Sequence, residues 1–153
     1  EEQKLFFAMQ VYDQRHVLNV AHTAKKIIEQ NQYENIDYNL LIRACLLHDV
    51  GRTAKDICLM DKVTSVLLGK FLPQKSKQWA NRAEKLKLNK SKSFWQKRRY
   101  ALYIYYNHAR LGAEKLNELG LNDIAEIIRY HHEKVDCKAC GELQILCLAD
   151  SLN

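Results

Sequence analysis

The chain has 153 residues, 47% of them hydrophobic, with a single proline and five glycines. That length supports one sizeable core but not two comfortable domains, and the scarcity of breakers excludes a loop-rich scaffold. The net charge is +6, no apolar run approaches a membrane span, and no secretory leader is seen, so the expected location is cytoplasmic, with a membrane-peripheral placement left open by the basic middle of the chain.

Taken in order, residues 3–14 are expected to form a short helix, and residues 16–30 a clearer one with Val17, Val20, Ala21, Ala24, Ile27 and Ile28 at helical spacing. Asp37 is placed to cap a helix over 38–49 whose apolar face carries Leu41, Ala44, Cys45 and His48. Residues 59–72 read as helical up to Pro73, with basic helices or loops following to about residue 97. A long helix is expected over 99–119, stopped by Gly120. Asn122 or Asp123 would cap a helix over 123–133, and residues 141–152 close the chain. With no alternating β-branched run, the expected fold class is all-α, a compact bundle of about six to eight helices. The domain reading is a single unit over 1–153 carrying a basic helical insertion at about 53–99. The chain starts at Glu1 rather than Met, which leaves room for an upstream segment.

Five cysteines without regular spacing suit reducing conditions. Cys137 and Cys140 form a lone C-x-x-C with no second pair to complete a structural zinc site, and Cys45, Cys58 and Cys147 read as small core residues.

The histidines carry the chemistry. His16 lies four residues before Val20 on the apolar stripe, His48 four after Ala44, His108 four after Ile104, and His131 four after Ile127. Asp150 sits in a nearly all-apolar helix, four after Leu146, and Asp49 follows His48 directly. His22, flanked by Leu18, Asn19, Lys25 and Lys26, is expected to face solvent. Any one of these histidines alone reads as a hydrogen-bonded core residue. Four imidazoles and two carboxylates pointing inward together are another matter, because buried carboxylates need a compensating positive charge. A divalent metal would compensate Asp49 and Asp150 and keep the imidazoles neutral and ligating.

The order His16, His48-Asp49 and distant Asp150 resembles the HD superfamily of metal-dependent phosphohydrolases. "HDVGR" is similar to that family's His-Asp-Ile-Gly-Lys form, "NHARLGAEKL" to its His-x-x-x-Gly-Ala-x-x-Leu segment, and "IIRYHHEK" to the segment that supplies further ligands in dinuclear members. The resemblance covers residues 15–52 and 100–152. It implies that His16, His48, Asp49 and Asp150 ligate one metal, and that His108 and His131 hold a second with Asp49 bridging. The implied cofactor is thus two divalent transition ions, drawn from iron, manganese, cobalt, nickel or zinc. His132 corresponds to a ligand in the cyclic-di-GMP phosphodiesterase branch but not in every dinuclear member. That branch's Gly-Tyr-Pro is missing after "HHEK", and Tyr12 stands where its trinuclear members have an acid. Arg52, where many relatives have Lys, is expected to act at the catalytic centre as a phosphate clamp, or equally to satisfy carbonyls at the helix end. Lys55, Arg110 and Lys134 are cations near the ligands in sequence, phosphate-binding or simply solvated.

The implied activity is hydrolysis of a nucleotide or other small phosphate ester or anhydride by a metal-bridged hydroxide. Dinucleoside polyphosphates are the first substrate class, nucleoside mono- or triphosphates the next, and a cyclic dinucleotide the third. The alternative is an HD-fold module that senses a nucleotide or anchors to nucleic acid or membrane through residues 70–99. A helical scaffold with a polar core and no metal is a third. From Lys70 to Arg110 twelve Lys and Arg stand against one acid, Glu84, a balance of +11 that leaves the rest of the chain at −5. The segment between the matched blocks, residues 53–99, is open to four readings: a solvated charge run as the plain one and, among functional roles, a lid over the metal site first, an anionic membrane contact next, and a nucleic-acid contact.

Overall fold

The protein is seen in a computed structural model that describes residues 1–31, 33, 35–52, 59–85, 93–133 and 140–153. Among these the structure is all-α: α1 (Glu2–Ala8), α2 (Val11–Asn31), α3 (Tyr38–Leu47), a 3-10 turn (Val50–Arg52), α4 (Leu59–Phe71), α5 (Pro73–Ala83), α6 (Phe94–Glu118), α7 (Asn122–Arg129) and α8 (Gly141–Ser151). No strand occurs among the described residues. Lys55, Cys58, Lys134 and Cys137 lie outside the described residues, as does much of the basic run, 86–92. The chain forms two compact units, Glu1–Thr53 with Ala109–Asn153, and Ala54–His108.

In the first unit α2 packs on α3 and α8, and α3 packs on α7 and α8. The stripe Val17, Val20, Ala21, Ala24 and Ile27 on α2 meets Leu41, Ala44, Cys45 and Leu47 of α3, with Leu116, Ile124, Ile128, Ile145 and Leu146 completing one core. Each such fully buried aliphatic side chain contributes about 1.5–3 kcal/mol of transfer free energy. Asp37 caps α3 through Leu40 N at 2.9 Å, and Glu142 of α8 accepts from Asp37 N at 2.8 Å. Two acidic side chains thus complement the positive end of α3 and fix the direction in which it delivers His48.

One close backbone approach positions the turn after α3. A Cβ on Gly112 would stand 3.2 Å from Gly51 N and 3.4 Å from Val50 Cγ2. Lys115 donates to Val50 O at 2.9 Å, so α6 both approaches and tethers the 3-10 turn.

Several boundaries differ from the sequence expectation. The first break falls at Met9–Gln10 rather than after residue 14, because Met9 is extended (φ −72°, ψ 157°) and its side chain enters the core. Helix α6 starts at Phe94, five residues earlier than expected, since 94–99 contain no breaker. Helix α7 ends at Arg129 rather than 133, and Leu121 stands at its N-cap without a side-chain hydrogen bond, so neither Asn122 nor Asp123 is the cap. Gly120, at φ +76°, makes the left-handed turn after α6 as expected.

The second unit comprises α4, α5 and α6 up to His108. Pro73 stands in the first turn of α5, where its missing N–H costs nothing. Asp61, buried on α4, pairs with Arg98 Nε at 3.1 Å, while Arg98 Nη1 donates to Thr64 Oγ1 at 3.0 Å. Ser76 and Tyr106 share a 2.6 Å hydrogen bond.

Candidate metal centre

His48 occupies the C-cap of α3 and Asp49 opens the turn behind it. Both are almost wholly enclosed, at 1% and 0% exposure. The expense of burying them, plain from the sequence, is therefore real. His48 Nδ1 donates to Cys45 O at 2.8 Å. A carbonyl oxygen can only accept, so Nδ1 carries a proton and Nε2 is turned away from its own helix, the nitrogen whose lone pair a neutral ring would present. His131 repeats the device, with Nδ1 donating to Ile128 O. His131 does not lie on a helical face as its spacing suggested. It sits in the turn beyond α7, where the same i−3 carbonyl fixes the ring.

Around His48 the first unit gathers the other groups. His16 Nε2 lies 2.9 Å from Asp150 Oδ1, joining α2 to α8 across 134 residues. His48 Nε2 stands 3.6 Å from Asp150 Oδ1 and 3.8 Å from Asp49 Oδ1. The rings of His16 and His131 flank that of His48 with centroids at 5.4 and 5.2 Å. One ligand atom each from His16, His48 and Asp49 falls within 4.8 Å of the others, and the same holds for His48, His131 and Asp150. The structure thus brings together His16, His48, Asp49, His131 and Asp150. His132 adjoins this group, its ring 4.0 Å from that of His131, but is exposed. His108 is buried at the end of the second unit, its Nδ1 donating to Tyr105 O at 2.8 Å. His22 is exposed, as expected.

The titration behaviour follows from burial and charge. Burial first, then the neighbouring His132 and His48, push His131 down to about 3, so it is neutral across the physiological range. Burial and then Arg52 lower His132. Burial opposes a charge on His48, yet Asp150, Asp49 and the Cys45 carbonyl outweigh it and raise its pKa. Burial likewise opposes ionised Asp150, but His16 and His48 hold its carboxyl far below the usual carboxylate range. The thiols are unlike this: burial pushes Cys45 up to about 12 and Cys147 up to about 11, so neither supplies a thiolate.

Arg52 neither faces solvent nor serves helix-end carbonyls alone. Its Nη1 lies 2.8 Å from Asp49 Oδ2, an ion pair one turn along the chain. Arg110 pairs with Glu114 at 2.6 Å on the surface of α6. A buried carboxylate that the sequence reading passed over is Asp13, three residues before His16 and in phase with Val17, Val20 and Ala24. That spacing was its signal.

The donor set fits a divalent ion. His48 Nε2 is buried and makes no hydrogen bond, and two carboxylate oxygens face it beyond hydrogen-bond reach. A lone pair opposed to two anions calls for a cation in the space between them, and imidazole with carboxylate is a transition-metal donor set. The profile of the HD domain family matches residues 14–153. No curated protein and no solved structure matches the chain significantly.

Proposed function

The chain belongs to the HD domain family, whose members are generally metal-dependent phosphohydrolases, and on that footing we propose that it hydrolyses a small phosphate ester or anhydride. The proposed order of substrates is dinucleoside polyphosphates first and nucleoside mono- or triphosphates next. The observation that carries the reading is the buried His48 Nε2, without a hydrogen bond and facing Asp49 and Asp150.

His16, His48, Asp49 and Asp150 are the residues proposed to hold a divalent ion. When bound, such an ion supplies Lewis acidity, which lowers the pKa of water and offsets charge on phosphoryl oxygens. The chain's own groups prepare for this. The Cys45 carbonyl holds the proton of His48 on Nδ1, which leaves Nε2 as the nitrogen that would ligate. His131 stays uncharged beside it. Arg52 holds Asp49 in orientation at 2.8 Å and keeps a permanent positive charge at the edge of the group. A guanidinium cannot give up its proton in the physiological range, so the part proposed for Arg52 is electrostatic, beside a phosphoryl oxygen.

The test is elemental analysis of the purified chain with the Asp49→Ala variant alongside, followed by phosphate release from a substrate panel. Metal bound by the wild type and largely lost in the variant, with hydrolysis lost in parallel, supports the proposal. A ratio near two supports the dinuclear complement expected from the sequence, and a ratio near one confines the ion to His16, His48, Asp49 and Asp150. No metal after reconstitution, or a fully active Asp49→Ala protein, refutes it.

A further inference from the structure

The second unit has an inverted helix. On α4 the polar Asp61 and Ser65 are buried, whereas Met60, Val63, Val66, Leu67 and Phe71 are exposed. At ~100° per residue these five apolar positions share an arc of about 140° on one side of the helix. Phe71 is 71% exposed and, at the start of α6, Trp95 is 73% exposed. The opposite side of α4, with Ser65 and Leu68, lines a separate cavity of about 400 Å³ against Trp79 of α5 and Phe94, Trp95 and Leu102 of α6. Solvent-facing apolar groups at this density mark a surface that meets something apolar.

Charge says what that is. Residues 54–108 hold thirteen Lys and Arg against three acids, Asp56, Asp61 and Glu84. Asp61 is already committed to Arg98. Lys70, Lys75, Lys77, Arg82, Lys85, Lys97 and Arg99 are all exposed. We propose that the second unit docks on an anionic lipid bilayer, with Phe71, Trp95 and the outer face of α4 entering the headgroup boundary and the surrounding lysines and arginines lying on the lipid phosphates.

An exposed apolar arc bordered by cations is the pattern of a helix lying in the membrane interface, and tryptophan favours that depth because its ring is apolar and its N–H polar. No helix among the described residues is long and apolar enough to cross a membrane, so the contact is a surface one. A nucleic acid would use the cations and the aromatic rings but would gain nothing from Met60, Val63, Val66 and Leu67. The lipid contact is independent of the proposed hydrolysis.

Both tryptophans of the chain, Trp79 and Trp95, belong to the second unit, so intrinsic tryptophan fluorescence reports on that unit. The full chain is titrated with vesicles of phosphatidylcholine, with or without roughly one third phosphatidylglycerol, and binding is followed by cosedimentation and by the emission shift. The expected result is a blue shift and sedimentation with anionic vesicles, at least ~tenfold weaker with neutral vesicles or in high salt. The double variant Phe71→Ser/Trp95→Ser should weaken binding about tenfold or more with an unchanged far-UV spectrum. Should that variant misfold, Lys75→Gln/Lys77→Gln decides, with several-fold weaker binding expected. Absence of vesicle binding, or binding indifferent to these changes and to salt, overturns the proposal. So does binding of single-stranded oligonucleotide in preference to vesicles, or self-association through Phe71 and Trp95 without vesicle binding.

Discussion

Acidifying the metal-free protein should destabilise its first unit through His131. Unfolded, that imidazole takes a proton near the ordinary histidine value of 6.5; folded and buried, it stays neutral down to about 3. Between those values the unfolded chain binds the extra proton, so stability falls as pH falls, by about 1.4 kcal/mol per pH unit and about 5 kcal/mol across the window. That is comparable to the whole stability of many domains, ~5–15 kcal/mol. His48 acts in the opposite sense. Its pKa is raised, so its contribution is complete below 6.5 and fades as pH rises through the folded value. The assay is urea unfolding of chelator-treated protein, read by far-UV circular dichroism from pH 7.5 to 3.5, for the wild type and for His131→Gln. The amide cannot titrate, so the variant should show a markedly shallower acid limb. Identical acid limbs would refute the claim that His131 is buried as a neutral ring.

Other outcomes follow from the same structure. Asp49→Ala should lose metal and turnover while its helical circular dichroism persists; retained metal would show that Asp49 is not a ligand. Gly112→Ala places a methyl 3.2 Å from Gly51 N and 3.3 Å from Ile128 Cδ1, and should cost about 1–3 kcal/mol in a thermal melt. An unchanged melting temperature would mean that α6 does not approach the turn so closely. Leu116→Ala, at a fully buried position, should cost about 2–5 kcal/mol by denaturant titration, whereas Leu148→Ala, 44% exposed, should cost far less. Stripping divalent ions should lower the melting temperature and adding them back should restore it, because only the folded chain assembles the ligands.

Periodicity was enough for the main helices, since the apolar stripe of α2, the Asp37 cap and the Gly120 stop are all signals carried within a single helix or its ends. The first boundary that moved depended on a distant partner. Met9 breaks the first helix because the core accepts its side chain, and no local residue announces that. His131 is the instructive case: it was expected to be buried because it shared a face with Ile127, yet it lies beyond the helix end and is buried by the turn itself. Asp13 shows the reverse, a position in phase with the stripe whose burial could have been read from spacing.

The kinds of residue and their order along the chain carry the family, the all-α class and the candidate metal ligands, because those depend on local chemistry and spacing. Folding alone supplies what joins distant positions. Residues 16 and 150 meet at 2.9 Å only when α2 and α8 pack. The Nε2 of His48 faces two carboxylates only because a backbone carbonyl holds its other nitrogen. Arg52 serves Asp49 rather than solvent because a 3-10 turn brings it back one turn later. Helix α4 belongs with these: its sequence reads simply as a helix, and the tertiary structure buries Asp61 against Arg98 while leaving Met60, Val63 and Phe71 exposed.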